Sequence, residues 1–497
     1  MEPVEKQAEV EENLSALKTN ANAVRAVRSA IESTLGPKGL DTMLVDRAGS
    51  VVVTNDGVTI LEQMEANHPA ARMLIHMARA QQREVGDGTT TATLIAASLV
   101  EAGMEQVVRG VPATKIVEGI RFGIAQALRE LQYCGCPVAS LDAPVLLHIA
   151  MVAGREYRDI ADLVIQAAML IGRKKLAEPQ FRLGDAINAE ENAENEVFMG
   201  VLVHAEPMNK DMPKWLQNVK VLAVDDALEW EELGSEALGT ESGFKRYVEL
   251  QEAFRANLQK IVESGVRLVL TGRGVSHVAE EMLSDAGVMV VRKVEREQLL
   301  RAAEHTGARL IKRTGIKKPP QELEACVGYA DTVYVDEKLR HIRVLGGRGR
   351  PMATVLVGAA TSEVVDERQR IARDAASSVQ AALSGGYVAG GGATEIAVAR
   401  EIEKKREQLQ GMAAYGLDCV VHALKAPMAH IVKNAGYNPL EKVEEVFHLQ
   451  AELKKNTLGV DCDTGKKMCI RDRSTTIRLR RRSCRICFCS ALRRKAS

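Results

Sequence analysis

Apolar residues at helical spacing run through much of the first quarter of the chain. Val24, Val27 and Ile31 fall on one helical face, and the turn-forming segment Leu35-Gly36-Pro37 ends the predicted helix. The polar stretch before this helix, residues 1–20, is expected to be mobile. The pattern therefore predicts that ordered structure begins near residue 21.

Two short apolar runs, Met43–Val45 and Val51–Val53, then predict a pair of strands. Helical patterns continue to about Leu131 and resume over residues 145–175. Residues 177–196 are rich in polar side chains and are interpreted as a connection.

The pattern changes from Val197 onward, where β-like runs replace helical ones. Strands are predicted at Val197–Val203 and Val219–Val224, followed by a long helix with one apolar stripe. A strand, a helix and a further strand then alternate, which predicts an α/β domain with parallel pairing. The stripe residues are Phe244, Tyr247, Phe254, Leu258 and Ile261, and the alternating elements are Arg267–Leu270, Val275–Ala286, Val288–Val291 and a strand at Leu310–Ile311.

A glycine-rich loop precedes an alanine-rich helix at Gly86-Asp87-Gly88-Thr89-Thr90-Thr91. Glycines allow close approach to a ligand, and a helix N-terminus favours anions, so the segment has the form of a phosphate site. Asp87 would then hold a divalent cation such as Mg²⁺. The alternative is an ordinary helix N-terminus capped by Asp87 or Thr89.

A second glycine-rich loop, Gly390-Gly391-Gly392, opens another alanine-rich helix and suggests one site built from both ends of the chain. Two aspartates leave alternatives open. Asp56, in Thr54-Asn55-Asp56-Gly57, is either a catalytic base or ordinary turn chemistry. Asp374, in a helix predicted over residues 362–383 that follows a strand at 354–357, reads locally as an exposed charge paired with an arginine.

Composition and charge exclude several classes of protein. With 46% hydrophobic and 27% charged residues, the chain is an ordinary globular protein, and its polar N-terminus is unlike a secretory signal, so a cytoplasmic location is expected. The zero net charge hides a basic end: from Lys466 onward there are 12 lysines and arginines against one acid, leaving 54 bases and 65 acids before it. An acidic body argues against nucleic acid as a partner, and the cysteine spacing shows no disulfide framework.

Two weaker motifs suggest other chemistry. Gly272-Arg273-Gly274 could begin a dinucleotide fingerprint, but His277 occupies the place of the third glycine. The Cys134-x-Cys136 pair lacks a second ligand pair nearby, so loop cysteines are the simpler interpretation.

Five motifs taken together, and in this order, resemble those of chaperonins, over roughly residues 20–465. Gly459-Val460-Asp461 falls where that family has its late nucleotide loop, and the segments Gly200–His204 and Met212–Lys214 resemble the group II type found in thermosomes, the cytosolic eukaryotic chaperonin and some bacterial members. The motifs are Leu35–Gly39, Thr54–Leu61, His68–Ala71, Val85–Thr91 and Ala389–Ala393.

The resemblance implies a multidomain α and α/β fold with a mostly helical equatorial ATPase domain, a small intermediate hinge and an α/β apical domain with a helical protrusion near residues 229–254. It implies an ATP-dependent chaperone subunit that assembles into two stacked rings and encloses non-native polypeptides. A non-hydrolysing holding scaffold is the alternative. The implied boundaries are 1–131 and 385–465 for the equatorial domain, 132–196 and 353–384 for the intermediate domain, and 197–352 for the apical domain.

The resemblance also implies roles for individual residues. Asp56 and Asp374 would activate the attacking water, Asp87 would bind Mg²⁺, and K⁺ is a further candidate cofactor. Partners implied are clients and other subunits, without nucleic acid, membrane or a separate lid protein. The residues implied to surround ATP are Leu35, Gly36, Pro37, Gly57, Gly86, Asp87, Gly88, Thr89, Thr90, Thr91, Gly390, Gly391 and Asp461. The residues implied to bind clients are Val275, Val278, Met282 and Leu283.

Two segments depart from the family pattern. Group II members carry a phosphate-sensing lysine where this chain has Ala153–Arg158, so Arg155 or Arg158 would have to replace it. Residues 466–497 resemble no chaperonin segment and are predicted to be disordered or an out-of-frame translation, with a Cys-rich metal or nucleic-acid tail as the alternative.

Overall fold

The computed structural model describes residues 2–45, 51–64, 66–231 and 241–469. Two compact units divide the chain. The discontinuous unit contains Met1–Ile165, Ala177–Phe181 and Arg373–Ser497, and the central unit contains Gln166–Leu176 and Arg182–Ala372. The three-domain division expected from the family stays a prediction.

Helices account for most of the discontinuous unit. Numbered along the described chain, the helices of both units are α1 Glu2–Ile31, α2 Gly57–Gln63, α3 Pro69–Glu84, α4 Thr89–Val108, α5 Ala113–Cys134, α6 Pro144–Ala153, α7 Arg158–Ile171, α8 Arg173–Leu176, α9 Glu241–Glu263, α10 His277–Asp285, α11 Arg296–Thr306, α12 Pro320–Glu324, α13 Ser362–Gly385, α14 Ala393–Glu403, α15 Ala413–Asn434 and α16 Pro439–Glu452.

The strands form one large sheet and two small hairpins. They are β1 Thr42–Val45, β2 Val51–Thr54, β3 Ile187–Glu191, β4 Glu196–Val203, β5 Trp215–Val224, β6 Val266–Thr271, β7 Met289–Val291, β8 Gly328–Asp336, β9 His341–Leu345, β10 Ala353–Ala359, β11 Leu458–Val460 and β12 Lys467–Cys469. Strand β1 pairs with β2, and β11 with β12, both antiparallel.

The helices of the discontinuous unit pack tightly around α15. Glycines make the closest approach possible: a Cβ on Gly119 of α5 would lie 1.9 Å from the Ala413 carbonyl oxygen, and one on Gly416 would lie 2.2 Å from the Ile116 oxygen. Only glycine fits at such a crossing. Helix α15, which contributes Ile431 to the pocket described below, is therefore packed closely against α5.

The central unit is built on an eight-stranded sheet in the order β3-β10-β4-β9-β8-β5-β6-β7. Buried aliphatic clusters line both faces of it. The predicted parallel pairing is confirmed for β5, β6 and β7, but β8, β9, β4 and β10 pair antiparallel. Short connections such as the one between β8 and β9 allow antiparallel neighbours, whereas the parallel strands need helical crossovers.

Three local predictions were wrong. Residues 2–20 belong to α1, because their Glu, Ala, Leu and Lys content favours a helix. The polar connection 177–196 contains β3, which pairs parallel with β10 far along the chain. The predicted strand at Leu310–Ile311 amounts to one bridge from Ile311 to Val224. Within the described part of the chain, no helix is long and apolar enough to cross a membrane.

Candidate functional site

The first glycine loop joins the end of α3 to the start of α4. Gly86 and Gly88 have φ values of 81° and 77°, a left-handed conformation that glycine adopts without strain. Asp87 lies between them, and its Oδ1 accepts a hydrogen bond from the Gly88 N–H at 2.6 Å. The Gln81 amide donates to the Asp87 carbonyl at 2.9 Å. The loop is thus anchored to α3, and the Asp87 carboxylate lies at the N-terminus of α4.

The N-terminus of α4 is open to a ligand. Its N-cap is Gly88, and no side chain caps the helix, so the simpler interpretation of Asp87 or Thr89 as the cap is wrong. Thr89, Thr90 and Thr91 all line a pocket at this end of the helix. Uncapped first-turn N–H groups and the positive end of the helix dipole favour an anion there.

Two further loops form the walls of the same pocket. Leu35, Gly36 and Pro37 line it after α1, with Gly36 at φ 95°. Gly391, at φ 65°, lines it before α14. Its neighbour Gly392 serves packing instead, because a Cβ there would lie 2.6 Å from the Met428 Cβ.

Asp374 lies in this pocket as well. It is half-buried on α13 and lines the same space as Asp87, although 287 positions separate them. On the same helix, Ser378 lies 3.4 Å from Asp87 Oδ2, within hydrogen-bond reach. The local interpretation of Asp374 as a surface charge is therefore replaced by one in which two carboxylates face a common pocket.

Five of the predicted nucleotide and catalytic residues lie beside the pocket instead of lining it. Asp56 caps α2, accepting from the Thr59 N–H at 2.9 Å and the Thr59 hydroxyl at 2.7 Å. Gly57 touches the pocket through Thr90, whose Oγ1 lies 2.4 Å from where a Cβ would stand. Gly86, Gly390 and Asp461 each adjoin a lining residue in sequence.

Sequence reasoning missed several lining residues: Thr34, Val152, Ala153, Ile431, Val460 and Cys462. They are apolar or small, and only Val460 and Ala153 fall in segments that the resemblance singled out, the late nucleotide loop and the segment in place of the sensor lysine. The other four carry no local signal. Burial, with a smaller contribution from the nearby Asp461 and Asp463 carboxylates, raises the pKa of the Cys462 thiol to about 11, so the thiol is neutral at physiological pH.

The segment that replaces the sensor lysine has an unusual backbone. Arg155 and Glu156 have φ values of 51° and 66°, strained for residues other than glycine. Arg155 lines the pocket, whereas Arg158 pairs with Asp162 on the exposed side of α7 at 3.0 Å. Of the two candidate replacements, the structure brings only Arg155 to the site.

The residues predicted to bind clients are buried to different degrees. Leu283 of α10 is fully buried in the core of the central unit. Val275, Val278 and Met282 are partly buried against the same cluster. Leu283 therefore offers no surface to a client in this conformation, because the stripe that suggested binding packs on its own sheet.

Comparison with known proteins identifies the family and the fold of this chain. The model of the TCP-1/cpn60 chaperonin family matches residues 27–479. The chain belongs to the TCP-1/cpn60 chaperonin family. The match extends beyond residue 465, where the resemblance was expected to end, and it covers β12 as well.

Thermosome subunits are among the chaperonins that this chain resembles. It is 32% identical over 475 residues to the thermosome beta subunit of Archaeoglobus fulgidus, covering 92% of this chain and 86% of the relative. It is 30% identical over 470 residues to a thermosome subunit of Pyrococcus horikoshii, covering 91% and 84%. A crystal structure of a group III chaperonin in the open state matches with a TM-score of 0.86 and 43% identity, covering 93% of each chain.

The chaperonin family membership confirms the predicted activity at the level of the whole protein. This chaperonin is an ATP-dependent chaperone subunit of a double ring, and it couples ATP hydrolysis to protein folding. The holding scaffold and the dinucleotide enzyme are both disfavoured.

Proposed function

We propose that the pocket between Gly36, Asp87 and Asp374 binds ATP and hydrolyses it. The observation that carries this proposal is convergence: two carboxylates and an uncapped, threonine-rich helix N-terminus meet in one pocket from segments far apart in sequence. Phosphoryl transfer needs mainly orientation of water and neutralisation of charge, and such groups supply both.

The residues of the pocket fit a magnesium-bound triphosphate. Asp87 is the proposed Mg²⁺ ligand, since Mg²⁺ is held in phosphate sites by one or two carboxylates together with phosphate oxygens. When bound, the ion would offset the negative charge of the phosphates. Thr89, Thr90 and Thr91 line the pocket, and their N–H groups and hydroxyls are the proposed ligands of the phosphate oxygens. Assays in K⁺ and in Na⁺ buffers would test the proposed K⁺ requirement.

Asp374 is the proposed residue that orients the attacking water by accepting its hydrogen bond. Asp56 is assigned a secondary role in the same step, because its carboxylate caps α2 in this structure. Arg155 is the proposed replacement for the sensor lysine, as a cation that faces the phosphates from the loop after α6.

Ring assembly is supported by an exposed apolar hairpin. Met43, Val45, Val51 and Val53 on β1 and β2 are each more than half exposed, and a two-stranded hairpin leaves both edges ready to pair. We propose that this hairpin contacts a neighbouring subunit. Whether the ring is homo- or hetero-oligomeric is left to mass measurement of the purified particle.

The proposed clients are non-native polypeptides with exposed apolar segments. Val275, Val278 and Met282 retain part of their surface and are the better candidates for contact than Leu283. A built-in lid near residues 229–254 also stays a prediction, because residues 232–240 lie outside the described part of the chain. The absence of a separate lid protein and the cytoplasmic location are likewise predictions.

The deciding experiment compares Asp374→Asn with Asp366→Asn, a control on the same helix α13 but outside the pocket. We expect the Asp374 variant to bind ATP with near-normal affinity and to lose hydrolysis, while the control keeps both. Full activity in the Asp374 variant would contradict its assigned role. A wild-type particle that binds clients but does not hydrolyse ATP would favour the scaffold.

A further inference from the structure

Asn434, the last residue of α15, makes two hydrogen bonds to the backbone of a distant loop. Its side-chain Nδ2 donates to the Glu32 carbonyl and to the Leu35 carbonyl, each at 2.8 Å. An amide nitrogen carries two protons, and both are used here. One side chain therefore ties the end of α15 to the segment that leads into Gly36 and Pro37.

The position of these two hydrogen bonds, just after the end of α1, explains why they matter for the loop. Helix α1 ends at Ile31 and tightens into a 3₁₀ turn over Glu32–Thr34 before Leu35 turns into extended backbone. Carbonyls at a helix end lack partners within the helix. Asn434 supplies a donor to two carbonyls in this segment and so fixes the direction in which the chain leaves it.

A second contact from the same helical turn acts on the next residue. Ile431 lies three positions before Asn434, on the same face of α15. Its side-chain carbons would stand 3.2 Å from a Cβ on Gly36. The loop is thus held by a polar contact at Leu35 and an apolar one at Gly36, while Gly36 keeps its left-handed φ of 95°.

We infer that Asn434 is a positioning residue for the nucleotide pocket: it holds Leu35-Gly36-Pro37 in the shape that receives the nucleotide. Asn434 does not line the pocket, whereas all three loop residues do. The inference rests on the proposed function, since it assumes that this pocket binds ATP. If the Leu35-Gly36-Pro37 loop contacts the nucleotide equally in the ground state and in the transition state, disturbing the loop changes KM more than kcat.

The test is a series of substitutions in the full chain, assayed for KM and kcat with ATP. Asn434→Asp keeps the size but turns two donors into a carboxylate facing two carbonyls, and we expect the largest rise in KM. Asn434→Ala removes both bonds and should raise KM by about tenfold. Asn434→Ser keeps one donor and should give a smaller rise, with kcat changed by less than about threefold in each.

Asn438→Ala is the matched control. Asn438 is a nearby asparagine that caps α16 through the Leu440 N–H, away from the loop. Its loss should lower the thermal midpoint and leave KM unchanged. If Asn434→Ala raises KM no more than this control does, the inference is wrong.

The remaining outcomes are also decisive. Should the alanine and aspartate variants fail to form particles, the serine variant decides: raised KM with kcat retained supports the inference, and unchanged KM overturns it. A wild-type particle that binds no ATP would overturn the proposed function and this inference together. A wild type that binds ATP beside Asn434 variants of equal KM overturns only the inference.

Discussion

Two polar clusters in this chaperonin both contain carboxylates but use them for different purposes. In the discontinuous unit, Asp87 and Asp374 line open space beside glycines and threonines. In the central unit, Glu190 of β3 lies among His204, His341 and Arg343 on the sheet. The carboxylates of the first cluster line the pocket proposed to bind ATP, and the carboxylate of the second pairs with side chains from other strands of the sheet.

The central cluster is satisfied from within. His341 is fully buried, and its Nδ1 lies 3.0 Å from Glu190. Arg343 donates through Nε to His341 Nε2 at 3.1 Å, so Nε2 is the acceptor and Nδ1–H donates to Glu190. Arg343 also binds Glu196 at 2.6 Å and lies over the Phe198 ring. Each ring nitrogen of the buried His341 therefore has a matching hydrogen-bond partner: an acceptor for Nδ1–H and a donor for Nε2.

The comparison teaches that a cluster's surroundings separate function from stability better than its residue types do. Groups that line a pocket keep their chemistry for a ligand and contribute little to folding. Groups paired in the interior contribute to folding, and removing one partner leaves another unsatisfied. Substitutions should therefore separate the two clusters cleanly.

The largest expected effect is on the pocket. Asp87→Asn should lower the rate of ATP hydrolysis by about 10²-fold or more, because it removes the proposed cation ligand. The thermal midpoint without nucleotide should stay within about 2 °C of wild type, since substituting a partly exposed side chain that lines a pocket costs little stability. Steady-state hydrolysis and thermal melts check both. Loss of stability together with activity would break the comparison.

The next effect is on the central cluster. Glu190→Ala should lower the free energy of unfolding by about 1–3 kcal/mol, because it leaves the buried His341 N–H without its acceptor. Hydrolysis per assembled ring should be unchanged. Urea unfolding measures the loss, and Glu191→Ala, the exposed neighbour on β3, is the control that should change stability by less than about 0.5 kcal/mol. Equal effects at both positions would contradict the prediction.

The same carboxylate predicts a pH dependence. Burial alone would raise the pKa of Glu190, but hydrogen bonds from His204 and His341 outweigh it and lower the pKa to about 2. The contribution of ionised Glu190 to the free energy of unfolding is therefore fully present above its usual pKa of 4.5. It is lost as the pH falls from 4.5 toward 2. Glu190→Gln should flatten the acid side of the stability curve in this window. An unchanged acid limb would refute the assignment.

The smallest effect concerns Glu395, a buried carboxylate outside the pocket with one oxygen that makes no hydrogen bond in the described part of the chain. Burial raises the pKa of Glu395 on α14, and its Oε2 is a buried oxygen without a hydrogen bond in the described structure. A raised pKa means that the ionised form costs stability at neutral pH and that the cost fades as the pH falls. Glu395→Gln should raise the thermal midpoint slightly at pH 7, and the gain should shrink at acidic pH. A destabilised variant would show that the charge has an unrecognised partner.

The sequence alone was sufficient for features that depend on neighbouring residues. Gly36, Gly86, Gly88 and Gly391 have the positive φ values that glycine-rich turns favour. Helical spacing identified most helices, and the five family motifs contain nine of the predicted residues that line the pocket. Such features depend on local φ/ψ preferences and periodicity, and those can be read along the chain.

Only the tertiary structure decided which distant groups meet. The local sequence of Asp374 indicated a surface charge, and although the family resemblance implied a catalytic role, only the structure brings Asp374 into one pocket with Asp87. Asn434 had no motif at all. Leu283 had the stripe of a binding face and is buried in its own core. A side chain's role depends on what surrounds it, and in this chain the contacting residues come from as far as 402 positions away. Local preferences carry no information about such pairings, because they are set by packing across the whole unit.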